Sequence, residues 1–171
     1  GNGWGSFSGS IKGANAGGAD DGSNMDRGLL TLVKTGAGTQ ALSGASTYAG
    51  TTTINGGALL INNAAGSGAG TNTVTVNNGG TLGGTGIVAG AVTVNTGGRV
   101  APGDNMGTLS VGALTLNAGA ALAFEFDAAP TNDFLVVAND NGVVINGGGV
   151  YLFTNGTTNA WMVPGTYRLV G

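Results

Sequence analysis

The chain has 171 residues, of which 37 are glycine, 41% are hydrophobic and only 8% are charged. That mixture excludes a disordered chain and a helical domain alike, since each glycine inside a helix costs about 1 kcal/mol against alanine. The net charge of −3 arises from few groups and includes five cations, which are scattered at Lys12, Arg27, Lys34, Arg99 and Arg168, so no nucleic-acid footprint exists.

Residues 1–28 form the least regular stretch. Trp4, Phe7 and Ile11 are its strand-like apolar points, followed by a polar, glycine-rich run from Gly13 to Gly28. We read a short first rung and a loop. From Leu29 the pattern becomes dense: Leu29–Val33, Gln40–Leu42 and Thr51–Ile54 are apolar or β-branched runs separated by Gly36, Gly38, Gly44 and Gly50. Short runs punctuated by glycine are the signature of strands joined by tight corners.

Five times an apolar strand then ends in an asparagine and a glycine-rich corner. The copies are Thr52–Gly57, Val74–Gly80, Val92–Gly98, Leu114–Gly119 and Val143–Gly148, and the asparagines are Asn55, Asn77, Asn95, Asn117 and Asn146. The steps between them are 22, 18, 22 and 29 residues, the periodicity of a solenoid whose last step carries an insertion. Each corner is followed by another apolar strand, starting near Leu59, Leu82, Val100, Leu122 and Val150. Alternation within a strand, as at Thr73–Val76, sends valines inward and threonines to solvent. The recurrent asparagine has a physical reason: it tolerates left-handed backbone, and stacked amides can bond from rung to rung.

The fold class that follows is all-β, a right-handed parallel β-helix with rungs of about 18–22 residues, broadening or irregular toward the C-terminus. One domain is expected, with 1–28 as an irregular first rung and polar loop, 29–127 as regular solenoid, and 128–171 as a looser, aromatic-rich continuation. Ile54, Val76, Val94 and Leu116 should form one buried column, and Leu59, Leu82, Val100 and Leu122 another.

Chemistry has little to work with. Histidine and cysteine are both absent, which removes the usual general base, the Ser-His-Asp triad, disulfides and thiolate metal sites. Glu125 and Asp127 have the alternate spacing of a glycosidase pair, but Leu122, Phe124 and Phe126 occupy the buried phase and leave both acids on a solvated face. The run Asp20, Asp21, Asn24, Asp26 alternates oxygen ligands as calcium loops do and lacks the bidentate glutamate that completes a strong site. Asp133, Asn139, Asp140 and Asn141 form another polar loop cluster with a still weaker case. No phosphate-binding loop occurs. We expect no enzyme, no cofactor beyond that calcium candidate, and no membrane insertion by this segment.

The segment Leu32–Gly44, continuing through Thr47–Leu59, closely resembles the autotransporter-associated β-strand repeat. The likeness runs on through Gly66–Gly70, Gly79–Gly86 and Ala101–Leu109, strongly over about residues 29–127 and more loosely beyond. The resemblance implies a right-handed parallel β-helix displayed outside a Gram-negative-type bacterium as stalk, adhesin or secretion-assisting segment, with no catalytic residues to transfer. The function we expect is a non-catalytic extracellular rod serving as stalk, adhesin or self-assembling surface or matrix fibre component. The alternative is a carbohydrate-binding or polysaccharide-acting β-helix. Both terminal segments read as strands without charged or proline-rich covers, so partners are expected to be further β-rungs or an identical subunit, with Trp4, Phe7 and Tyr167 as contacts, or a surface polysaccharide.

Overall fold

The computed structural model describes residues 3–13, 30–127, 131–163 and 166–171. Every strand pairing among named strands is parallel, and the strands form two seven-stranded sheets. Sheet A runs β1 (Trp4–Phe7), β3 (Thr39–Leu42), β5 (Gly57–Ile61), β7 (Gly80–Gly84), β9 (Arg99–Pro102), β11 (Ala121–Phe126) and β14 (Gly149–Thr154). Sheet B runs β2 (Leu32–Lys34), β4 (Thr52–Ile54), β6 (Val74–Val76), β8 (Ile87–Val94) and β10 (Thr108–Leu116). Two strands then share the edge of β10: β12 (Phe134–Val137) on its first half and β13 (Val143–Ile145) on its second. The chain alternates between sheets, so each rung is one sheet-B strand, a corner and one sheet-A strand. This is a parallel β-helix.

The corners explain the period. After β6, β8 and β10 the amide of the fourth turn residue bonds back to the asparagine carbonyl: Gly80 to Asn77 at 2.9 Å, Gly98 to Asn95 at 2.8 Å and Ala120 to Asn117 at 3.0 Å. The third residue, Gly79, Gly97 or Gly119, lies in left-handed backbone at φ 77, 75 and 74°, where a side chain is strained. The corners also bond to each other, Gly79 N to Gly97 O at 3.1 Å and Gly97 N to Gly119 O at 2.9 Å. A stack of identical turns therefore fixes the register of the strands on both sides.

Register turns the sequence pattern into columns. Ile54, Val76, Val94 and Leu116 are consecutive partners, as are Leu59, Leu82, Val100 and Leu122, and all are buried in one continuous core. The outward row is Thr53, Thr75, Thr93, Thr115. Thr52 departs from the outward rule: it lies in the inner phase, fully buried, because the buried Tyr48 hydroxyl lies 2.6 Å from its Oγ1, which in turn donates to Ala69 O at 3.1 Å. Burial raises the Tyr48 hydroxyl above its ordinary pKa, a shift that the Thr52 bond opposes. A buried phenol needs such a partner.

The 29-residue step resolves into β12 and β13. Both keep parallel register on β10, so the insertion lengthens the loop between them without shifting the columns.

Candidate functional site

The corner asparagines are a single hydrogen-bonded chain. Asn77 Nδ2 donates to Asn55 Oδ1 at 2.8 Å, Asn95 to Asn77 at 2.8 Å, Asn117 to Asn95 at 2.9 Å and Asn146 to Asn117 at 3.1 Å. All four bonds point the same way, so the amide dipoles align and polarise one another. The ladder adjoins the threonine row, whose hydroxyls at Thr53, Thr75, Thr93 and Thr115 take part in no hydrogen bond among the described residues. Together they make an uncharged outer row with the ~4.8 Å repeat of a β-sheet.

Position within the ladder sets energetic weight. Asn95 holds two ladder bonds and Asn55 one. Asn95→Ala should therefore cost about 2 kcal/mol and Asn55→Ala about 1 kcal/mol, read as the difference in denaturant midpoint at unchanged slope.

Lys34 occupies a place that sequence spacing did not reveal. It pairs with Ile54 and so heads the first apolar column. Its ammonium turns to the corner and donates to Thr35 O, Gly36 O and Gly56 O at 3.0, 3.0 and 2.9 Å. Three carbonyls thus satisfy the ammonium at the β2 end of sheet B.

The alternation along β11 is the expected one, with the apolar residues in the inner phase. Leu122, Phe124 and Phe126 are buried, while Glu125 is only half solvated and accepts from Gly156 N at 3.2 Å. Asp127 is exposed. The acid that matters structurally is Asp133, which is almost wholly buried. Its carboxylate accepts from Gly107 N at 2.9 Å and Glu125 N at 2.8 Å, and its own amide donates to Glu125 O at 2.9 Å. It clips the loop before β10, strand β11 and the start of β12 together.

Burial pushes the Asp133 carboxyl up to about 6 against the pull of those two N–H groups, with the Glu125 charge adding to the rise. The folded chain then holds this proton more tightly than the unfolded chain. The resulting stabilisation is complete below the ordinary carboxyl pKa of 3.8 and is lost as pH rises through about 6. Melting of the parent and of Asp133→Asn at pH 4 and pH 7 should show a parent-specific loss of about 1–3 kcal/mol on going to the higher pH.

The calcium candidates Asp20, Asp21, Asn24 and Asp26 lie outside the described residues. Among those described, no group of three or more acidic side chains could hold a metal ion. Trp4 is 65% exposed on β1, and Phe7 on the same strand is exposed too. Tyr167 lies far from both, edge-on to Phe126 at 4.7 Å within an aromatic cluster that includes Trp161. The three do not form one surface.

A family model described as passenger-associated-transport-repeat matches residues 32–61, the stretch from β2 to β5. Residues 32–61 are an autotransporter passenger repeat. An extracellular serine protease of Serratia marcescens is 45% identical over 92 residues, 54% of this chain and 8% of that protein. The adhesin BmaC autotransporter of Brucella suis biovar 1 (strain 1330) is 40% identical over 76 residues, 44% of this chain and 2% of that protein. The chain thus spans less than a tenth of either relative. Its passenger repeat makes it an extracellular or cell-surface module, and Asn55, the first asparagine of the chain of amides, falls inside that repeat.

Proposed function

We propose that the chain is a non-catalytic structural segment of an extracellular passenger, a rod that spaces or presents adhesive parts at the bacterial surface. The observation that carries this reading is the in-register stack itself: columns, corners and ladder all repeat along one axis and, among the described residues, converge on no concave cluster of reactive groups. The serine protease named among the relatives does not weaken it, because a chain without histidine cannot assemble a Ser-His-Asp triad from its own residues. The purified chain, incubated with pectins, glucans and casein, should show no turnover. Turnover abolished by Glu125→Gln or Asp127→Asn would refute the reading.

A second reading has one specific observation in its favour. A cavity of about 550 Å³ opens beside Trp4, with Leu32, Leu42 and Leu59 as apolar lining and Lys34 and Gln40 as polar groups. An exposed indole beside the Gln40 side-chain amide suits a sugar ring. Titration with surface-type oligosaccharides should then quench tryptophan fluorescence, and Trp4→Ala should remove the change while Trp161→Phe should not.

A further inference from the structure

The last rung is covered on two of its sides. Along β12, Leu135 N donates to Leu169 O and Val137 N to Gly171 O, each at 2.9 Å, and Val170 bridges Leu135 in parallel. Along β14, Trp161 N donates to Leu152 O at 3.0 Å and Ala160 bridges Phe153. β13 has β10 on one side and no strand on the other among the described residues.

Its side chains are those of an interior strand. Val143 and Ile145 continue the columns of Leu114 and Leu116, which are 1% exposed, yet they are themselves 41% and 64% exposed. Val144 stands in the row that reads threonine at 53, 75, 93 and 115, so β13 is apolar on both faces. Asn117, Asn95, Asn77 and Asn55 each receive an amide bond from the next rung, whereas Asn146 donates one and receives none among the described residues. Neither lysine nor proline, the usual guards of a sheet edge, is present on β13.

We infer that β13 is the seat for one further parallel strand of the repeat, reading apolar, any residue, apolar, asparagine, supplied by the same passenger polypeptide. This rests on the passenger reading above. The interface between existing rungs states the chemistry: two apolar side chains at alternate positions cover Val143 and Ile145, and the asparagine that follows donates its Nδ2 to Asn146 Oδ1. All pairings of named strands in sheet B are parallel, and the added strand keeps that sense.

A second copy stacked head to tail does not meet that specification. Its β2 would set Lys34 against Ile145 and Thr35 against Asn146, drawing an ammonium held by three carbonyls under an apolar roof. Its β1 also lies one level beyond β2, because β1 pairs with β3, the sheet-A strand of the β2 rung. β1 would therefore fall at the level already filled by β14.

Asn146 N bonds to Leu116 O, so by strand alternation the amides of Val143 and Ile145 face the open edge. Hydrogen exchange of these two amides tests the inference. The chain would be compared with a form extended after Gly171 by a copy of residues 88–102, which carries Val92, Thr93, Val94 and Asn95. Exchange at Val143 and Ile145 should slow by at least about tenfold on extension, and the slowing should vanish when the appended copy alone carries Val92→Asp and Val94→Asp. Unchanged exchange in the extended chain, equal slowing with the aspartate-bearing copy, loss of protection at β8 on extension, or two amides already slow in the unextended chain, as a tail-to-tail dimer would give, each overturns it. Cell-surface display without any gain in protection sinks this inference and leaves the passenger reading standing.

Discussion

Val94→Asp should abolish cooperative folding of the middle rungs. Val94 is fully buried between Val76 and Leu116, and the described residues place no cation beside it that could pair with a carboxylate. An unpaired carboxylate in that column costs several kcal/mol, a large share of the stability of a domain this size. Thr93→Asp, one residue away on the solvated row, should shift the midpoint by about 0.5 kcal/mol or less. The pair is internally controlled, since both add the same charge to the same strand. Equal losses in a denaturant titration would mean that inner and outer faces are misassigned.

Gly57→Ala should be nearly as damaging, for a backbone reason. Gly57 sits at φ 64°, and a Cβ there would collide with the carbonyl oxygens of Gly38 and Gly36 in the rung before. Those are backbone atoms held by the sheet, with no flexible side chain to yield. We expect a loss of about 3 kcal/mol or more from strain and overlap together. Gly79→Ala, at φ 77° with open space around the added carbon, carries the conformational penalty alone and should cost about 1 kcal/mol. Thermal melts of the two variants separate crowding from backbone strain.

The columns and the asparagine ladder were legible in the sequence because each depends on spacing within a short motif that recurs. Once Val76 precedes Asn77 and Val94 precedes Asn95, stacking the asparagines stacks the valines. What stayed hidden depends on partners far away in the chain. Asp133 reads as one loop acid among several, and its partners are backbone amides of Gly107 and Glu125, groups every residue carries and no motif marks. Lys34 reads as a scattered cation until β2 is paired with β4, which sets it at the head of the Ile54 column. Val144 looks like any strand valine until register puts it in the threonine row, where it signals an edge lacking its cover.

Rungs held in register by a one-way chain of asparagine amides are tested most directly by side-chain amide exchange measured by NMR. The Nδ2 protons of Asn77, Asn95, Asn117 and Asn146 each donate along the ladder, whereas those of Asn55 donate to nothing among the described residues. One proton on each of the first four should show slow exchange and a displaced shift, with Asn55 behaving as a solvated amide. Five side-chain amides exchanging alike at the free rate would contradict the ladder.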